Sequence, residues 1–171
     1  PSHLASVVAM TPTLRTERLL LEPYTPADEE GFVALFQDEK VARWLGSGPA
    51  DEAAERDLFR RILADVYAHD RFDIWAVRLE RRLVGHAELQ PAGDGDGDGY
   101  EIIFALASDV WRLGLGTELV GAIVRHGFDT LALAEVHAFV PASNAASLAL
   151  LDKTGFRPVR DIAEYGDITR V

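Results

Sequence analysis

The feature that most constrains what this chain can fold into is a change of apolar period near residue 72. Before it, Leu58, Ile62 and Val66 recur every four residues and predict one amphipathic helix over 51–69. After it, 72–79 and 83–90 are rich in β-forming residues and are separated by Glu80, Arg81 and Arg82, which predicts a hairpin. Helical spacing returns over 116–131 and 143–154. Strands interrupted by helical crossovers in this way predict an α/β chain with a mixed sheet.

The other elements complete the order. Residues 14–24 predict a first strand closed by Pro23. Thr25, followed by Pro26 and Asp28, predicts a capped helix to residue 37 with Phe32, Leu35 and Phe36 inward. Residues 100–106, 135–140 and 156–165 predict further strands, with a possible last one beyond, and 93–99 (GDGDGDG) a loop. The expectation is a single domain over 11–171, with a central sheet of about six to seven strands flanked by helices. Met10 is the only methionine and the expected native start, so 1–10 is expected to be non-native or disordered.

Composition narrows the function. Seventeen basic against twenty-eight acidic residues leave a net charge of −11, which repels phosphate backbones and argues against nucleic acid. It favours a cationic partner. Without cysteine there are no disulfides, thiolate nucleophiles or Cys-based zinc sites, which fits a reducing cytoplasm. No apolar run approaches the roughly 20 residues that span a bilayer, so no membrane partner is expected. His3, His69, His86, His126 and His137 show no metal spacing, and His126 is expected at the surface or an interface. The acidic run from Asp94 resembles the start of a calcium loop, but its twelfth position is Ala105. No metal is expected.

The run Trp111-Arg112-Leu113-Gly114-Leu115-Gly116-Thr117-Glu118 lies between a predicted strand and a predicted helix. Two glycines one residue apart allow a sharp turn and the close approach of a ligand. The amides of Leu113, Leu115, Gly116 and Thr117 can then hold an anion such as pyrophosphate at a helix N-terminus. A plain tight turn is the other reading of the glycines alone. No lysine follows Gly116, and Leu119 stands where a dinucleotide fingerprint has its third glycine, so neither usual nucleotide loop is present. Further on, Asn144 predicts a helix cap and Gly155 the left-handed residue past that helix.

Taken together, the Gly-x-Gly-Thr-Glu helix, the Asn-x-x-Ser helix and the Lys-x-Gly-Phe strand resemble the GNAT N-acetyltransferase superfamily. The opening Leu14-Arg15-Thr16-Glu17-Arg18-Leu19-Leu20-Leu21 and Val41-Ala42-Arg43-Trp44-Leu45 are similar to its RimJ/RimL-like branch, typified by ribosomal-protein alanine N-acetyltransferases. The resemblance implies a GNAT-like (acyl-CoA N-acyltransferase) fold with acetyl-CoA as co-substrate, and makes a homodimer an expectation. It implies that amides of Leu113, Gly114, Leu115, Gly116 and Thr117 bind the pyrophosphate. The strand around Leu106 and Ala107 would pair with the pantetheine, the Leu106 amide facing the thioester carbonyl. Asn144 and Ser147 match positions lining the CoA arm, Ser147 as a partner for the departing sulfur. Trp111 stands where many members have Gln or Arg, and Leu151 where other branches carry a tyrosine acid, so no general acid is named.

Amine acylation needs a base. An alkylammonium with a pKa of about 10.4 must lose a proton before attacking a thioester, which costs about 4–5 kcal/mol at pH 7. A carboxylate can take that proton as the bond forms. Glu101, which matches the branch's Glu before Ile-Gly-Tyr, is the first candidate; strand alternation sets it with Ile103 and Ala105. Glu88 and His86 share one face of the neighbouring strand and are alternates, and for each of the three a plain exposed position is the competing reading. Glu88 and Trp44 are also candidates for holding the acceptor, with Trp75 expected in the core. The expected activity is acetyl transfer from acetyl-CoA to a primary amine on a protein N-terminus or small molecule. A non-catalytic acyl-CoA-binding module, another acyl chain such as succinyl, and nucleotide binding at the glycine turn are the alternatives.

Overall fold

The structure is a computed structural model describing residues 11–45, 51–92, 99–164 and 167–170. Leu14–Arg15 (β1), Leu19–Glu22 (β2), Asp73–Leu79 (β3), Arg82–Pro91 (β4), Tyr100–Leu106 (β5) and Val136–His137 (β6) form a six-stranded sheet in that order. All neighbours are antiparallel except β5 and β6, which run parallel. The predicted mixed sheet is therefore present, and β5 has the bounds read from the sequence.

The first strand is not the single one expected over 14–24. It turns back on itself, pairing Leu14 with Leu21 and Arg15 with Leu20. Thr16 makes the turn: its amide donates to Leu19 O at 2.9 Å and its hydroxyl accepts from the Leu19 amide at 2.9 Å. A side-chain turn of this kind needs no glycine or proline, so the usual turn signal is missing.

Both faces of the sheet are covered. Trp75, Val77, Ala87, Leu89, Ile102 and Leu106 pack on one side with the helix Leu115–Arg125 (α4). Ile74 and Ala76 pack on the other with Phe32 of Glu29–Gln37 (α1) and Phe59 of Glu52–Arg61 (α3). Asp51 caps α3, accepting from the Ala54 amide at 2.8 Å. Within 51–69 the apolar stripe differs from the predicted one: Leu58 is 44% exposed, whereas Phe59 and Ile62 are buried with Glu55. A strict four-residue repeat drifts by about 40° per step around an α-helix, and the segment Ile62–Tyr67 is a wider π-helix.

The strand expected over 135–140 is divided between two sheets. Its first half is β6, and Val140–Pro141 (β7) joins Asp161–Glu164 (β8) and Asp167–Arg170 (β9) in a three-stranded antiparallel sheet ordered β7-β9-β8. Ala145–Lys153 (α5) follows β7. Residues 156–160, expected as strand, are irregular; Pro158 within them cannot donate to a ladder. His126 is not at the surface: it is 6% exposed, with Nε2 2.9 Å from Asp73 Oδ2 and its ring edge-on to Trp75. The calcium-like run begins at Asp94, and its residues 94–98 lie outside the described residues.

Candidate active site

The site begins where β5 and β6 part. Their parallel pairing consists of Tyr100 with Val136 and Glu101 with His137. Farther along β5, the Ala107 amide donates to Val84 O at 2.7 Å, so it belongs to the sheet. Strand alternation then turns the Leu106 N–H to the opposite edge, toward the opening beside β6. Leu106 O, on that same edge, accepts from Trp111 Nε1 at 2.7 Å.

Trp111 leads into the glycine turn. Arg112 and Gly114 are both left-handed, with φ of 65° and 79°, and Gly114 is the residue before α4. The two glycines have different work. Gly114 supplies the left-handed turn, whereas a Cβ on Gly116 would collide with Leu150 of α5, so Gly116 lets two helices close on each other. The helical ladder starts with Glu118 N donating to Gly114 O at 3.3 Å. The amides of Leu115, Gly116 and Thr117 precede it and have no intrahelical acceptor, and the helix dipole favours an anion there.

A side-chain tie across the fold holds this turn. Glu118 accepts from the Arg18 amide at 2.6 Å, from Arg18 Nε at 2.9 Å and from the Thr16 hydroxyl. Arg18 Nη1 donates to Leu113 O at 2.8 Å. Burial alone would raise the Glu118 carboxyl pKa, but these donors outweigh it and hold the group below the usual carboxylate range. Sequence reasoning missed this tie: the partners lie 100 positions apart and no local pattern joins them.

At the start of α5, Asn144 Oδ1 accepts from the Ser147 amide at 3.2 Å, the cap read from the sequence. Gly155 is left-handed, as predicted, with φ of 95°. Leu151 is buried in the main core, so that position supplies no acid.

The opposite face of the sheet carries the carboxylates. In the register of β4 and β5, His86 faces Ala105, Glu88 faces Ile103 and Gln90 faces Glu101, so all three candidate bases share one face. Gln90 Nε2 donates to Glu101 Oε1 at 3.0 Å. His86 is 3% exposed, with Nε2 2.8 Å from Glu88 Oε1 and Nδ1 2.7 Å from the Tyr24 hydroxyl. Burial pushes the Tyr24 phenol well above its ordinary pKa, so it stays protonated beside Nδ1. With both nitrogens engaged, His86 orients Glu88 and is not itself a free base.

Near this face, Asp38 lies between α1 and the short helix Glu39–Ala42 (α2). It accepts from Ser108 Oγ at 2.6 Å and from the Ser108 amide at 3.3 Å, tying that corner to the end of β5. The Ser108 hydroxyl is the main cause holding the Asp38 carboxyl low. Trp44 is half-buried, with the Arg43 guanidinium 4.7 Å over its ring. Among the described residues no group of three or more His, Asp or Glu could hold a metal, and no helix is long and apolar enough to cross a membrane. A cavity of about 700 Å³ lies between α4, β6 and α5, but none of the candidate site residues lines it.

Known proteins share this fold. The family model of the acetyltransferase (GNAT) domain matches residues 18–157. The chain is 31% identical over 162 residues to the uncharacterized N-acetyltransferase YoaA of Bacillus subtilis (strain 168), covering 91% of this chain and 89% of that protein. RimJ of Mycobacterium smegmatis, solved with CoA-disulfide, superposes with a TM-score of 0.80 at 18% identity, over 94% of this chain and 85% of that one. An acetyltransferase (GNAT family) from Bacillus anthracis gives 0.79 at 20% identity, over 93% and 95%.

Proposed function

The chain belongs to the GNAT acetyltransferase family and is an acyltransferase; from that premise we propose that it moves the acetyl group of acetyl-CoA to a primary amine by direct attack, with Glu101 as the general base. The observation that carries this reading is the open edge of β5 at Leu106, which leads through the glycine turn to the uncapped first turn of α4. Such a groove offers a row of backbone donors to an extended arm ending in a diphosphate.

When bound, acetyl-CoA supplies an electrophilic thioester and a thiolate leaving group. The amides over 113–117 hold its diphosphate without a lysine, each charge-assisted bond contributing about 1.5–3 kcal/mol net. The Leu106 N–H polarises the thioester carbonyl from the strand edge, as an oxyanion donor does. Glu101, held by Gln90, takes the proton that the acceptor ammonium sheds as the C–N bond forms. Glu88, oriented by His86, holds the acceptor's positive charge from the next strand, and Trp44 lines the acceptor side. Ala107 borders the pantetheine, Asn144 sets the start of α5 beside it, and the Ser147 hydroxyl meets the departing sulfur. The net charge of −11 favours cationic acceptors, whether a protein N-terminus or a small-molecule amine. A cytoplasmic location is part of the same proposal.

Titration calorimetry with acetyl-CoA, CoA and ATP tests the donor. Micromolar acetyl-CoA binding with ATP silent supports it, and no binding of acetyl-CoA removes it. Glu101→Gln tests the base in a screen of amine acceptors. Turnover should fall by roughly 10²–10⁴-fold with acetyl-CoA affinity retained, and unchanged turnover would transfer the role away from Glu101.

A further inference from the structure

The loop proposed to hold a diphosphate has no lysine, yet the first turn of its helix carries a carboxylate, Glu118. That charge suits the helix dipole but repels a dianion arriving at the same amides. The loop is also strained: Arg112 and Gly114 are both left-handed within three positions, and Arg112 is not glycine. Conformations of this kind persist only where the surroundings over-determine them.

Arg18 answers both problems. Its amide and Nε bind the two oxygens of Glu118 at 2.6 and 2.9 Å, while Nη1 reaches Leu113 O at 2.8 Å. One guanidinium thus neutralises the carboxylate and fixes the plane of the Leu113–Gly114 peptide, which is the hinge of the turn. Thr16 adds its hydroxyl to the same carboxylate, so the whole tie comes from the turn between β1 and β2. The Arg18 side chain remains 43% exposed against 15% for Glu118, which leaves cationic surface beside the amides.

We infer that Arg18 is a positioning residue for the acyl donor: with Thr16 and Glu118 it sets the amides over 113–117 in binding geometry before the diphosphate arrives. This inference rests on the acetyl-CoA reading above. It concerns the diphosphate end of the donor and not the thioester end, and that separation makes it testable.

The test titrates ¹⁵N-labelled protein with acetyl-CoA and with S-acetylpantetheine, which has the thioester arm but no diphosphate. The quantity read is the ratio of the two affinities. Arg18→Gln should lower that ratio by roughly 10- to 100-fold, the range expected for lost charge-assisted bonds. Arg18→Lys keeps the charge but not the fork, and should lower it by less; it also serves as the test if Arg18→Gln does not fold. Loss of affinity for both donors in equal proportion would mean a merely structural arginine and overturn the inference, as would an unchanged ratio. Wild-type protein that binds neither donor would overturn the acetyl-CoA reading itself, and this inference with it.

Discussion

Two helices start next to the opening between β5 and β6, and they start in opposite ways. The α5 helix begins on Asn144, whose side chain caps the Ser147 amide. The α4 helix begins on Gly114, which has no side chain to offer and sits in a left-handed conformation. A missing cap of the Asn type costs about 1 kcal/mol of stability. The chain caps one helix with its own side chain and leaves the other without a side-chain cap. What stabilises α4 instead is long-range: Arg18 and Thr16 hold Glu118 one turn in, and the leading amides have no side-chain acceptor. The difference separates a self-capped helix end from the end proposed to bind the diphosphate more clearly than the glycines do.

The largest expected effect sharpens this contrast. At acetyl-CoA concentrations 100 times Kd, ligand linkage adds about 2.7 kcal/mol, so hydrogen exchange at the amides of Leu115, Gly116 and Thr117 should slow by roughly 100-fold. The Ser147 amide, already bonded to Asn144, should change far less; equal slowing at both helix starts would erase the distinction. Next, Gly116→Val should break the contact between the two helices. Its side chain meets Leu150, and overpacking of this kind costs about 1–3 kcal/mol, read as a lower melting temperature. Asn144→Ala should cost about 1 kcal/mol, a drop of roughly 2–4 °C in melting temperature.

The smallest effect is in pH. The Glu118 carboxyl is held low in the folded chain, so its contribution is present above its unfolded pKa of about 4.3 and is lost as pH falls through the lower folded value. Chemical denaturation of wild-type protein and Glu118→Gln from neutral pH downward should therefore show two stability curves that converge in acid. Curves that stay parallel would show that the tie to Arg18 and Thr16 does not depend on the carboxylate's charge.

The sequence showed local structure best where one element sufficed to specify it. Tyr100–Leu106 is a continuous β-forming run after a glycine-rich stretch, and its bounds were readable to the residue. Asn144 and Gly155 punctuate α5 by rules that involve only their neighbours. Reading failed where distant contacts decide. The turn at Thr16 is made by a side chain, so 14–24 looked like one strand. His126 looked like a surface residue until β3 placed Asp73 beside it. The face joining His86, Glu88 and Glu101 depends on the register of two strands, which alternation within each strand cannot supply. The Arg18 tie spans 100 positions and left no periodic trace.

The outward amide of Leu106 and the carboxylate of Glu101 lie on one strand, five residues apart. Both depend on the same two-residue alternation, one through its edge and the other through its face. Their relation is thus a matter of parity. Removing or adding a single residue between them would send the proposed base to the opposite side of the sheet relative to the proposed donor groove, even if every side chain kept its chemistry. Length changes in the connection between β4 and β5 carry no such penalty, since they leave the count inside β5 intact. In this chain, length changes should therefore be tolerated before Tyr100 and not between Glu101 and Leu106.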